Sequence, residues 1–297
     1  MSARASAALF LVLAAAASAS PPRPEPARTG GAALAAACAG RDGWSDPAPP
    51  ARIAGNTFYV GTCGITAVLI ASPKGHILID GATAQAAPGI AANIRKLGFD
   101  PAQVRLLLSS HEHSDHAGGL AILKRLTGAR LAARAEARPA LESGRTDPAD
   151  PQAGTIPDFA GAAVDRVVAD GETLRVGPLA VTAHATPGHT AGSTSWSWRV
   201  CERGDCRTLV YADSLTAVAP DSYRFSDHPA LVARFRATFD RVAAMPCAIL
   251  VTPHPGASNL FERLAGRAPL ADRGACAAYA SAARRRLDER LALEARR

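Results

Sequence analysis

A run of six residues, HEHSDH at positions 111–116, constrains this chain more than any other stretch. It follows VRLLLSS, an apolar run with the length of a buried strand. It precedes AGGLAILKRLTG, whose apolar spacing predicts a helix that stops at Gly128. Extended backbone alternates its side chains, so His111 and His113 point the same way and form a natural pair for one cation. Asp115 and His116 lie past the turn and can aim at a neighbouring position. A surface loop could collect such residues by accident, so the rest of the chain has to decide.

Two further histidines sit in similar settings. TPGHTAGS places His189 in a Gly-rich turn after a strand, and VTPHPGAS places His254 at a strand end between two prolines. Five of the eight histidines therefore lie in loops at strand ends that could converge on one sheet edge. Imidazole and carboxylate without thiolate suit zinc. Six such ligands are too many for one tetrahedral ion and fit two. His76, His184 and His228 read instead as structural or exposed. His184, inside a strand, is the one that could support a ligand from behind.

The surrounding pattern is α/β. NTFYVGTCGITAVLIASPKGHILID reads as successive strands broken by Gly and Pro turns, and QAAPGIAANIRKLGF as a helix. Further strands are expected in DRVVADGETLRVGPLAVTAHAT, STSWSWRVC, RTLVYAD and AILVTPH, with a helix over PALVARFRATFDRVAAM and helices to the end. Two halves of strands followed by helices predict two sheets packed face to face with helices outside. The stretch from Ser143 to Gly161 is rich in Pro, Gly and Asp and reads as a long loop, a kind that is usually functional or disordered.

The N-terminus reads as a signal peptide over residues 1–19. MSAR is positive, AALFLVLAAAA is apolar but too short to span a bilayer, and ASA ends at Ala19. The alternative is a retained anchor. Residues 20–297 are then one exported, periplasmic domain, with no other segment apolar enough to cross a membrane. Export changes how the six cysteines read: an even count in an oxidising compartment suggests the disulfides Cys38–Cys63, Cys201–Cys206 and Cys247–Cys276. Cys201 and Cys206 flank ERGD, a hairpin-like turn that brings them within bridging range. The net charge is +7, much of it in the tail ARRRLDERLALEARR. That tail reads as the solvated face of a helix, because neither an aromatic-interleaved basic stripe nor a nucleic-acid reading motif is visible.

HxHxDH, then TPGHTAGSTSW, YADSLTAV and TPHPGASN, in that order, resemble the metallo-β-lactamase superfamily and specifically its subclass B3 β-lactamases. The resemblance runs across nearly the whole chain after the leader. It implies a four-layer αββα sandwich with two zinc ions (Zn2+) at one edge of the sheets. By motif, His111, His113 and His189 would bind the first ion, and Asp115, His116 and His254 the second. Ser214 stands where other subclasses carry a cysteine ligand.

The implied activity is hydrolysis of the β-lactam amide of penicillins, cephalosporins and carbapenems by a hydroxide shared between the two ions, conferring antibiotic resistance. Asp115 would orient that hydroxide, and Tyr223 would lie near the lactam carbonyl. Ser214 and Thr216 would approach the substrate carboxylate. The serines of GSTS carry neither a nucleophile elbow nor an SxxK pattern, so covalent serine catalysis is not expected. The Cys247–Cys276 pair also resembles the family, whereas the short Cys201–Cys206 pair occurs only in some members. The alternative within the fold is a glyoxalase II-like thioesterase or a lactonase, with Asp213 bridging the metals. A non-catalytic zinc protein is the remaining reading. The expected partner is a small-molecule β-lactam, and the default assembly is a monomer.

Overall fold

The computed structural model describes residues 30–202 and 204–296, and the expected leader over residues 1–19 lies outside them. Seven strands form the first sheet: β1 (Ala51–Ala54), β2 (Thr57–Tyr59), β3 (Val68–Ile70), β4 (His76–Ile79), β5 (Val104–Leu108), β6 (Arg130–Arg134) and β7 (Arg166–Val168). They lie in sequence order, antiparallel from β1 to β4 and parallel from β4 to β7. The second sheet contains β8 (Thr173–Val176), β9 (Leu179–Ala185), β10 (Thr194–Glu202), β11 (Asp205–Tyr211) and β12 (Ile249–Val251). Its order is β12-β11-β10-β9-β8, with β11 and β12 parallel and the other pairs antiparallel.

Period-two alternation explains why the strands read as continuous apolar runs. On β5, Leu106 and Leu108 face the space between the sheets while Leu107 faces outward, and Ile77, Leu78 and Ile79 on β4 divide the same way. Trp196, Trp198, Leu209 and Tyr211 fill the inter-sheet core from the other side. The outward faces are covered too. Helices Ala87–Lys96 and Leu120–Thr127 pack on the first sheet, and helices Pro229–Ala243 and Ala275–Glu294 on the second. A strand buried on both faces has no polar side to show. The result is the αββα sandwich.

Some elements have no clear sequence signal. A helix at Gly31–Ala37 and β1 lie ahead of the first strand expected from the sequence. Strand β6, of sequence RLAAR, is built from residues with little strand preference, and parallel pairing to β5 and β7 on either side holds it in the sheet. Strand β7 belongs to the first sheet, so the chain changes sheets between Val168 and Thr173.

Disulfides join Cys38 to Cys63, Cys201 to Cys206 and Cys247 to Cys276. The second lies across the β10–β11 hairpin, and the third ties the approach to β12 to the C-terminal helix. No helix among the described residues is long and apolar enough to cross a membrane.

Candidate metal centre

The histidine-bearing loops follow the C-terminal ends of β5, β9 and β12, and the loop after β11 joins them there. Asp80, just past β4, anchors the first loop. Its carboxylate accepts from Ser110 N at 2.7 Å, Ser110 Oγ at 2.6 Å and the Tyr211 hydroxyl at 2.7 Å. Asp80 holds φ at 63°, in the left-handed region where an aspartate is tolerated. The second sheet grips the same loop: Trp196 Nε1 donates to Ser109 O and Thr194 N to Ser110 O. His113 is still extended, and the short helix Ser114–Ala117 starts immediately after it, turning Asp115 and His116 to a new direction.

His111, His113 and His189 come together with ring centroids 4.8–5.1 Å apart. Each has one ring nitrogen engaged. His111 Nδ1 donates to Asp213 Oδ1 at 2.8 Å, His113 Nε2 to Asp150 Oδ2 at 3.0 Å, and His189 Nδ1 to Thr216 O at 2.8 Å. Such contacts fix the tautomer and ring orientation of a metal-binding histidine and raise its basicity. One nitrogen of each ring is left over, and His111 Nε2 is buried with no hydrogen-bond partner. The ligand atoms of the three lie within 4.8 Å of one another. Burial, reinforced by the neighbouring histidines, holds His111 well below the usual imidazole range and His189 at about 3. Both rings are therefore neutral, the form that binds metal.

A second cluster shares a wall with the first, for the rings of His111 and His116 are 4.2 Å apart. Asp115 Oδ2 lies 3.1 Å from His116 Nε2 and 3.4 Å from His254 Nε2, and those two nitrogens are 3.3 Å apart. His116 Nδ1 is backed by Asp80 Oδ2 at 3.4 Å. Burial alone would raise the Asp115 carboxyl, but attraction and a hydrogen bond from His116 hold it well below the usual carboxylate range. Burial opposes charge on His116 as well, yet Asp115 and Asp80 push it up to about 10. Burial and His116 bring His254 down to about 4. An ionised carboxylate and two imidazoles meeting at one point form a donor set that fits a zinc ion, with His116 giving up its proton as the metal binds.

The remaining residues singled out in the sequence are placed as follows. Thr216 meets His189 through its carbonyl, and its hydroxyl is 3.2 Å from the same ring nitrogen. Ser214 is buried beside Asp213. Tyr223 stacks on His228 with centroids 4.6 Å apart. Burial raises its phenol pKa, with the charges of Asp150 and Glu294 adding to the effect. His184 pairs with Ser197 Oγ at 2.8 Å, and Ser72 N donates to His76 Nδ1.

Asp80, Glu112 and Asp150 were missed. Glu112 stood inside the quoted motif, where an acid between two histidines at a buried strand end was the available signal. Asp150 carried none beyond its place in the long loop.

The family model described as Metallo-beta-lactamase superfamily matches residues 60–254. The solved structure of the metallo-β-lactamase MIM-1 from Novosphingobium pentaromativorans is 56% identical, over 88% of this chain and 97% of that one, with a TM-score of 0.86. MEM-A1, a subclass B3 metallo-β-lactamase from a soil metagenome library, is 48% identical over 85% of this chain and 99% of its own, with a TM-score of 0.82. A hydroxyacylglutathione hydrolase of Rhodopseudomonas palustris is 31% identical over 152 residues, 48% of this chain and 48% of that protein. The chain spans about half the length of the curated relatives it matches. With the fold, the strand-end histidines and these likenesses in agreement, the chain belongs to the metallo-β-lactamase superfamily and stands beside its subclass B3 members.

Proposed function

We propose that this chain is a dizinc hydrolase that opens the β-lactam amide of penicillins, cephalosporins and carbapenems, and so confers antibiotic resistance. The observation that carries the reading is the three-histidine cluster set back to back, across His111 and His116, with the contacts that join Asp115, His116 and His254. His111, His113 and His189 would hold one ion, and Asp115, His116 and His254 the other. Bound zinc supplies Lewis acidity and makes water a nucleophile near neutral pH.

The protein's own groups do the rest. Ionised Asp115 is an acceptor only, so it orients the attacking water by taking its hydrogen bond. The water oxygen bonds to the lactam carbonyl carbon, collapse of that adduct breaks the C–N bond, and the nitrogen takes up the proton the water gave up. Tyr223, whose phenol stays protonated, can donate to the developing oxyanion. Ser214 and Thr216 would receive the substrate carboxylate. The segment 143–161, tied to the site through Asp150, would shape drug preference. We further propose export to the periplasm with loss of residues 1–19, action as a monomer, and no lasting membrane contact.

Kinship to a hydroxyacylglutathione hydrolase keeps a thioesterase as the second reading. In that reading Asp213 turns to the metals, whereas its Oδ1 accepts from His111 Nδ1. Hydrolysis of a carbapenem and of a glutathione thioester, measured side by side with and without chelator, separates the two. Chelator-sensitive turnover of the carbapenem is expected. Turnover of the thioester alone overturns the β-lactamase reading.

A further inference from the structure

Glu112 sits between His111 and His113 and is 3% exposed. Its side chain reaches away from both, across to the loop that carries His189. Oε2 accepts from Thr190 Oγ1 at 2.8 Å, and Oε1 accepts from Gly192 N at 2.9 Å. These donors are a hydroxyl and a backbone amide, and neither carries a charge to offset burying a carboxylate. Such burial is costly, so the contact has to return something to the fold.

What it returns is the placement of His189. The two bonds clasp the residues one and three positions past that histidine. The far side of the same loop is equally confined. A Cβ on Gly192 would lie 2.4 Å from Ala137 Cβ, and one on Gly188 would lie 2.8 Å from the Phe235 ring. The Thr190 hydroxyl and amide both reach Ser193 Oγ at 3.1 Å, which closes the turn on itself. The loop is thus wedged between helix-bearing segments on one side and a carboxylate strut on the other.

We infer that Glu112 is a positioning residue, a hydrogen-bonded strut that locks the His189 loop to the His111–His113 strand end and so pre-forms the three-histidine site. It touches neither substrate nor reacting atoms. The inference rests on the reading that these histidines hold zinc. The strut depends on geometry rather than charge. A glutamine in its place can accept from Gly192 N with its amide oxygen and donate to Thr190 Oγ1 with its amide nitrogen.

The test compares full-length wild type with Glu112→Ala, Glu112→Gln and Thr190→Val. Zinc affinity is read by competition with a chelator, and site geometry by the visible spectrum of the cobalt-substituted protein. Glu112→Ala is expected to weaken binding at the three-histidine site about 10–100-fold, as loss of outer partners of metal ligands does, and to alter the cobalt spectrum. Glu112→Gln should stay within a few-fold of wild type with an unchanged spectrum. Thr190→Val, which cuts one of the two bonds to Glu112 together with the hydroxyl's contact to Ser193 Oγ, should fall between them, and it carries the test with Glu112→Gln if the alanine variant does not fold. Wild-type affinity and spectrum in both Glu112→Ala and Thr190→Val overturn the strut. A Glu112→Gln protein as impaired as Glu112→Ala also overturns it, in favour of charge. Wild type that binds no zinc removes the metal-site reading itself, a separate result from either.

Discussion

Asp150 accepts a hydrogen bond from His113 Nε2 at 3.0 Å, and with its side chain 4% exposed it is the buried tooth of an otherwise irregular segment. The contact leaves His113 Nδ1 as the nitrogen available beside His111 and His189, and it ties the segment from Ser143 to Gly161 to the candidate metal centre. A loop read from the sequence as long and either functional or disordered is held down by the site it borders.

Replacing Asp150 with alanine is therefore expected to do two things together. Zinc affinity should drop about 10–100-fold, since His113 loses the partner that fixes its ring. Proteolytic cleavage between residues 143 and 161 should become faster, since the segment loses its anchor. Chelator competition and limited proteolysis of the same samples check this. A loop that stays protected while zinc is lost would detach the two effects.

The proposed two-ion arrangement predicts how single ligand losses behave. His189→Ala and His254→Ala remove donors from different clusters, so each should cut bound zinc from two per chain toward one, and chelator should abolish carbapenem turnover until zinc is restored. Elemental analysis after desalting gives the count. Loss of all zinc in both variants would mean one shared site in place of two.

Acid stability has a source outside the two donor clusters. Burial would raise the Glu294 carboxyl, but the backbone N–H groups of Ser226 and Phe225, together with Arg290, bring it down to about 2. A depressed carboxylate contributes its stability above its unfolded value, near 4.3, and loses it as pH falls toward the folded value. Glu294→Gln should thus cost about 1–3 kcal/mol at pH 7, and the gap from wild type should close between pH 4 and pH 2. Urea unfolding at stepped pH measures it. An unchanged gap at pH 3 would assign the loss to packing. Arg290 also donates to Tyr223 O, so the same helix end holds the loop that carries the proposed oxyanion donor.

Much of the candidate site was legible because its would-be donors sit beside strand ends in short runs. His111, His113, Asp115 and His116 fall within six residues, and His189 and His254 each lie in a turn marked by Gly or Pro. Their partners were not legible, because each reaches the site across the fold. Asp150 meets His113 from 37 residues away, and Asp213 meets His111 from 102 away. Thr216 drew notice for its hydroxyl, yet its carbonyl makes the shorter contact to His189, and any residue type could supply that. The sandwich itself was readable from doubly buried strands such as VRLLL. Strand β6 was not, since RLAAR becomes a strand only between two neighbours that need a partner.

In the proposed reading, Asp115 separates a catalyst from a mere zinc binder. Its carboxylate lies within 3.4 Å of both His116 Nε2 and His254 Nε2, and it is ionised across the working pH range. In the proposed mechanism it does two jobs, binding metal and orienting the attacking water, whereas His113 does only the first. Asparagine keeps the size and one oxygen but removes the charge, so Asp115→Asn should bind the second zinc more weakly. Added zinc can repair that loss by mass action, but it cannot restore the acceptor that aims the water. Groups of this kind contribute about 10²–10⁴-fold to rate. Carbapenem turnover by Asp115→Asn should therefore stay at least about 10²-fold below wild type in saturating zinc. Steady-state rates across a zinc titration decide the matter, and full recovery would leave Asp115 a ligand and nothing more.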